Sequence, residues 1–214
     1  MAVPMITRIL LASTSARRRE LLEAQGIPFS IIATDIDEHA FDQLPPKERV
    51  SRLALEKAAA AARTCPEGMI VLAADTLACD PTPSEGGQLK KDSSGHITLG
   101  KPHDRIEARK MIEGLQGRRH SVHTGLIGIM TGKGQFEAEC SSSDVSFSPM
   151  SPEEIEEYLD TGEWIGVAGA YRIQGRAARY IKRLEGSWSG VVGLPIHELY
   201  VILSRLGVEL GPLA

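Results

Sequence analysis

The stretch STSARRR, Ser13 to Arg19, puts hydroxyls and guanidiniums where the apolar run Ile9–Ala12 gives way to an amphipathic helix. A positive side chain in a helix's first turn opposes the helix dipole, at roughly 0.3–1 kcal/mol each. The first N–H groups of a helix lack internal partners and point outward, so an anion seated there would offset that cost. Ser13 and Ser15 add hydroxyl donors, and Arg17 and Arg18 add forked, permanently charged ones. This pattern predicts a phosphate or polyphosphate site. The competing reading is that Arg18 and Arg19 are solvated surface residues that happen to lie near the turn.

Asp75 ends the apolar run MIVLAADT. A carboxylate emerging from such a run is costly to bury unless paired or bound to metal, and strand ends in α/β sheets border ligand crevices. Asp75 is therefore a candidate general base or Mg²⁺ ligand, with Thr76 beside it; a plain turn former is the alternative. Glu38, next to Asp37, is a second candidate, because hard cations that work on phosphates use one or two carboxylates plus water and substrate oxygens. Lys101, in the stiff turn Gly100-Lys101-Pro102, and Lys57, in an alanine-rich helix, can meet phosphate as point charges. In the glycine-dense GVAGAYRIQG, Gln174 can read a base edge with a donor and an acceptor, unless it sits on an exposed turn.

Other chemistries lack their signatures. There is no GxxxxGK[ST] loop, no GxGxxG, no GxSxG elbow and no HExxH, and the six histidines show no ligand spacing. Cys65, Cys79 and Cys140 are odd in number and far apart, which argues against a disulfide framework or a zinc site and for a reduced, cytoplasmic setting. A net charge of −4 provides no global attraction to nucleic acid or anionic lipid, so the arginine cluster is a local feature. No apolar segment reaches the roughly 18 residues that span a membrane, and the start MAVPMITRILLAS is not ordered like a signal peptide.

The elements that must position these groups alternate along the chain. Strands are expected at TRILLAS, PFSIIATDID and MIVLAADTLAC. Helices are expected at SARRRELLEAQG (Ser15 as N-cap, Gly26 as C-cap), PPKERVSRLALEKAAAAARTC, DRIEARKMIEGLQG, SPEEIEEYLDTG and PIHELYVILSRLG. Residues 80–100 read as an irregular surface loop ending in HITLG, and 119–147 as two or three strands with a turn at TGKGQ. The prediction is an α/β fold, a mixed central sheet with helices on both faces, in a single domain spanning residues 1–214.

The blocks LLASTSARRRELL, DIDE, LEKA, AADT, LGKP, HTGL, AGAYRIQG and VVGLP occur in the order found in Maf proteins, the septum-formation-inhibitor-like nucleotide pyrophosphatases. The chain resembles that family from Arg8 to about Leu206. The resemblance implies hydrolysis of a nucleoside triphosphate to monophosphate and pyrophosphate, dependent on Mg²⁺ or Mn²⁺. It also implies a two-lobed fold around a cleft, similar to inosine-triphosphate pyrophosphatases, and a cytoplasmic homodimer. Asp75 would be the proton acceptor. Arg17, Thr76 and Gln174 resemble the dTTP/UTP group and not the 7-methyl-GTP group. Two departures stand out: Val167 occupies a place where family members usually carry lysine, and the segment Pro81–Gly95 is longer than usual.

The expected mechanism has Mg²⁺ on Asp75 and Glu38, with Asp75 or a metal-bound water providing the base. Arg17, Arg18, Lys57 and Lys101 clamp the triphosphate, aided by Ser13 and Ser15, and Thr76 and Gln174 position the base. Two other classes compete. A non-catalytic nucleotide-binding regulator of cell division would release no pyrophosphate, and an RNA-binding module needs stacking aromatics, which are 5% of the chain and form no stripe beside the arginines.

Overall fold

The computed structural model describes residues 9–80 and 97–208. In chain order these form β1 (Ile9–Ala12), α1 (Ala16–Ala24), β2 (Phe29–Ile32), α2 (Pro46–Ala62), β3 (Ile70–Asp80) and β4 (Ile97–Leu99). Next come α3 (Arg105–Leu115), β5 (Arg119–Met130), β6 (Gln135–Phe147), α4 (Pro152–Asp160), β7 (Ile181–Glu185), α5 (Trp188–Val192) and α6 (Ile196–Arg205). Two 3-10 segments, Ala168–Ala170 and Arg176–Tyr180, lie between α4 and β7.

One mixed sheet orders its strands β2-β1-β3-β5-β6-β7, with β4 also paired to β3. The pairs β1–β2 and β1–β3 are parallel, and the remainder are antiparallel. Parallel neighbours need crossover helices, and because the chain steps outward from β1 to β2 and then back to β3, α1 and α2 fall on opposite faces. Side-chain alternation confirms this. Leu10, Ala12, Val71, Ala73 and Ile127 pack with Ala54, Ala58 and Ala61 of α2. Ile9, Leu11, Ile70, Leu72, Ala74 and Leu126 join Leu22 of α1 and Leu199, Ile202 and Leu203 of α6 in the larger core.

Glycines in β5 set how closely both layers approach. A Cβ on Gly125 would meet the Val50 carbonyl oxygen of α2 at 2.6 Å, and one on Gly128 would meet Ile202 Cγ2 of α6 at 2.5 Å. They lie on opposite faces of the strand, so each admits one helix.

Several local expectations hold. Ser151 and Glu154 form a reciprocal capping box at the start of α4, Gly117 follows α3 at φ +67, and the 119–147 stretch is the hairpin β5–β6. Others need correction. β2 stops at Ile32, before Asp35, Asp37 and Glu38, because this edge strand pairs only with the four-residue β1. Gly26, at φ +64, follows Gln25 at the C-cap of α1, one residue later than expected. Asp75 is mid-strand, since β3 continues along β5 as far as Cys79 and takes up β4 at Ala78–Asp80. SWSGVVGLP contains the helix α5, capped by the Ser187 hydroxyl, which accepts from Gly190 N. Most of the irregular 80–100 loop, including the long Pro81–Gly95 insert, lies outside the described residues.

Candidate active site

The site is built on a notch in the sheet. β1 pairs with β3 only as far as Leu72, and β4 joins the same edge at Ala78. Between them, Ala73–Leu77 have no strand neighbour on that edge among the described residues. Alternation sends Asp75 toward α2 and Thr76 toward the opposite layer, where α1 and α5 approach. The notch lets groups from both faces converge.

On the α2 side, Lys57 is buried at 8% exposure, and its Nζ donates to Asp75 Oδ1 at 2.6 Å and Glu38 Oε1 at 2.7 Å. Burying an ammonium is tolerable when both contacts are carboxylates. Exposed Lys101, in the Gly100–Pro102 turn, approaches Glu38 Oε2 at 3.8 Å. Desolvation alone would raise the Glu38 carboxyl, but the Lys57 hydrogen bond and the charges of Lys57, Lys101 and Arg18 together hold it below its ordinary value. Asp75 Oδ2 accepts no hydrogen bond among the described residues, which leaves it open to a proton.

On the other side, Arg18 spreads its guanidinium over three elements. Nε donates to the Gly193 carbonyl at 2.8 Å, Nη1 to Ser13 Oγ at 3.2 Å and Nη2 to Thr76 Oγ1 at 3.2 Å. Thr124 Oγ1 lies 2.8 Å from the Gly190 carbonyl oxygen and 3.0 Å from Thr76 Oγ1. A carbonyl only accepts, so the single Thr124 proton goes to Gly190 and Thr76 donates to Thr124. The chain Arg18→Thr76→Thr124→Gly190 therefore has one consistent direction and fixes the guanidinium. Burial pushes Arg18 below its ordinary pKa while Asp75 and Glu38 pull the other way, and the group stays cationic.

Ser13 Oγ accepts from Arg18 and from Ser15 N at 3.2 Å, so its own proton points elsewhere. Ser15 occupies the N-cap of α1 without a side-chain bond, whereas the caps of α3, α4 and α5 all use theirs. The start of α1 thus keeps unpaired donors beside Arg17 and Arg18, as expected for an anion seat.

The structure gathers Ser13, Arg18, Glu38, Lys57, Asp75, Thr76 and Lys101, with Ser15 and Arg17 alongside. Gln174 is exposed, with no hydrogen-bond partner among the described residues. Asp37 serves a local turn, its Oδ1 accepting from His39 N. Arg19 is exposed. Val167 is buried at 6% exposure and contributes no charge. Sequence reasoning missed Gly193, whose carbonyl anchors Arg18 from a backbone at φ +127, and Thr124, the link to α5. The blocks VVGLP and HTGL marked both segments without disclosing these roles.

Glu38 and Asp75 suit a hard divalent cation. One ammonium touches both carboxylates, so a cation of similar reach can too. No cluster of three or more acidic, histidine or cysteine side chains exists among the described residues, which leaves further ligands to water and substrate oxygens, the arrangement Mg²⁺ favours.

The sequence matches the family described as Maf-like protein over residues 8–206. The chain belongs to the Maf family. Among its curated relatives, the dTTP/UTP pyrophosphatase of Symbiobacterium thermophilum is 42% identical over 94% of each chain. That of Bacillus velezensis is 38% identical, covering 96% of this Maf chain and 100% of the relative. Among solved structures, the Ham1 protein of Staphylococcus aureus superposes with a TM-score of 0.48 at 12% identity, over 94% of this chain and 100% of that one.

Proposed function

We propose that this Maf protein is a metal-assisted nucleoside triphosphate pyrophosphatase acting on dTTP and UTP, and on modified pyrimidine triphosphates. The observation that carries the reading is the meeting of Asp75, Glu38 and Lys57 with the anchored Arg18 across the notch in β3. Its substrate class rests on relatives 36–42% identical that are named dTTP/UTP pyrophosphatases.

In the proposed reaction, water attacks the α-phosphorus, a new P–O bond forms, and the bridging oxygen leaves with pyrophosphate. Asp75 Oδ2 takes the water proton, while Lys57 holds Oδ1 and fixes the carboxylate's direction. Arg18 meets the phosphate with a guanidinium already oriented by Ser13, Thr76 and Gly193, so little reorganisation is needed as charge develops. Ser13 and Ser15 donate hydroxyl protons, and exposed Lys101 reaches in from its turn. Glu38 and Asp75 would hold a divalent cation, which would supply Lewis-acid stabilisation of the phosphate charge.

We extend the proposal to a cytoplasmic homodimer on the family resemblance. No helix among the described residues is long and apolar enough to cross a membrane, and no disulfide joins the cysteines. The direct test is a panel of nucleoside triphosphates assayed for pyrophosphate release with Mg²⁺ or Mn²⁺. dTTP and UTP are expected to lead. A purine triphosphate far ahead of both would overturn the specificity, and silence across the panel would overturn the activity.

A further inference from the structure

The sheet face opposite α2 turns polar at one level only in β3 and β5. Ala74 and Leu126 lie to one side of that level, Ala78 and Val122 to the other, and all of them belong to the larger core. Between them the register sets Thr76, Thr124 and Ser141 side by side across β3, β5 and β6. Thr124 and Ser141 are buried, at 1% and 5% exposure, where hydroxyls cost free energy unless hydrogen-bonded. What covers them is α5. Gly190 lies so close that a Cβ on it would come within 3.0 Å of Ser141 Oγ, and its carbonyl accepts from Thr124 Oγ1 at 2.8 Å. Three residues on, the Gly193 carbonyl accepts from Arg18 Nε at 2.8 Å. These contacts close a ring: Arg18 Nη2 to Thr76, Thr76 to Thr124, Thr124 to Gly190, along the chain to Gly193, and back to Arg18. With Nη1 also on Ser13, one N–H on each of Nη1 and Nη2 is left for phosphate. Thr124 is the member that joins the sheet half of the ring to the α5 half.

We propose that Thr124 is a positioning residue of the hydrolysis: acting through Thr76 and α5, it holds Arg18 at the angle that the transition state needs. Its proton ties down Gly190, and with it the segment whose Gly193 carbonyl takes Arg18 Nε. Its lone pair takes the Thr76 proton, so Thr76 keeps a lone pair turned to Arg18 Nη2. Valine has the same shape and neither capacity. In its place the Gly190 carbonyl loses its partner, the Thr76 hydroxyl is free to rotate, and the guanidinium loses a fixed acceptor on two sides. A guanidinium so released still attracts a triphosphate, but it must be reoriented as charge develops, so the loss falls on kcat and not on KM. This inference rests on the triphosphate reading of the site, and deepens it.

The test compares wild type with T124V, T124S, T76V and the T124V/T76V double variant in dTTP turnover, alongside the ¹H–¹⁵N signals of the arginine Nε–H groups, with R18K locating that of Arg18. T124V is expected to lower kcat at least about tenfold, with KM within about threefold of wild type. T124S should recover most of that loss, and the double variant should lose clearly less than the product of the two single losses. In T124V the Arg18 Nε–H signal should broaden and exchange faster with water, whereas in T124S it should stay sharp. An unchanged Arg18 signal or an unchanged kcat in T124V overturns the proposal. So does a T124S that loses as much kcat as T124V, which would make packing of the methyl group the cause, and so do losses that multiply in the double variant. If T124V does not fold, T124A, which removes the hydroxyl without adding a methyl, is read on the same two scales. If wild type hydrolyses no triphosphate, the pyrophosphatase reading fails, while the Arg18 signal still judges the hold of Thr124 on the guanidinium.

Discussion

Asp75 and Lys57 show how one polar contact divides the work of a carboxylate. Lys57 occupies Oδ1 and leaves Oδ2 to receive a proton, so Asp75→Asn should keep the fold and lower kcat by at least about 100-fold, the scale of general-base catalysis. Circular dichroism and a pyrophosphate assay check both halves. Lys57→Met should act differently. Without the ammonium Glu38 loses the hydrogen bond and charge that help hold its carboxyl below its ordinary value, so the metal concentration needed for turnover at mildly acidic pH should rise. An unchanged metal requirement would remove Lys57 from that role. Ser13, Arg18 and Asp75 were legible from type and spacing, because they carry hydroxyls or charge where an apolar run or the first turn of a helix argues against them; Lys57 was not marked in that way, since lysine suits a helix. Arg18 and Arg19 looked equivalent in sequence, yet one is threaded into the notch and the other is exposed, since side-chain direction depends on the helix's docking angle. Gly193 could not be read, because a carbonyl acceptor is common to every residue.

Helices and strands decide whether those side chains meet. Gly125 lets the backbone of α2 lie against β5, and α2 brings Lys57 to Asp75. Gly125→Ala would place a Cβ within 2.6 Å of the Val50 carbonyl and force α2 outward. The expected cost is about 1–3 kcal/mol in stability, read by denaturant titration, together with reduced kcat. Beneath the 3-10 segment Ala168–Ala170, burial depresses the His120 pKa to about 4, against the pull of Asp144, with Tyr171 and Phe147 packed around the ring. Between that value and 6.5 the unfolded chain binds the proton and the folded chain does not. Stability should therefore rise with pH across this window, by on the order of 3 kcal/mol in all. His120→Gln should flatten that slope, as melting curves at several pH values would show. The longer elements were legible because caps and periodicity agree, as in Ser151 and Glu154 of α4. Shorter ones were not: α5 hides in a glycine-bracketed stretch, and β2 ends early for want of a partner strand, a tertiary fact.

For the whole molecule, the net charge of −4 surrounds a notch in which cations outnumber carboxylates. Arg17, Arg18, Lys57 and Lys101 converge from α1, α2 and the Gly100–Pro102 turn that the mixed sheet brings together, and a polyphosphate with its cation complements that excess. Chelation by EDTA should abolish turnover, and added Mg²⁺ or Mn²⁺ should restore it, with Glu38→Gln raising the metal concentration needed. The α/β class and the mixed sheet were visible in the alternation of elements, but the notch was not, because it arises from where β1 stops relative to β4 along β3. The most direct measurement of the central claim is hydrolysis of dTTP in ¹⁸O-labelled water with Mg²⁺, followed by mass analysis of the products. The account predicts dTMP carrying the label and unlabelled pyrophosphate, both lost in Asp75→Asn; dTDP with labelled orthophosphate, or no hydrolysis by the wild type, would contradict it.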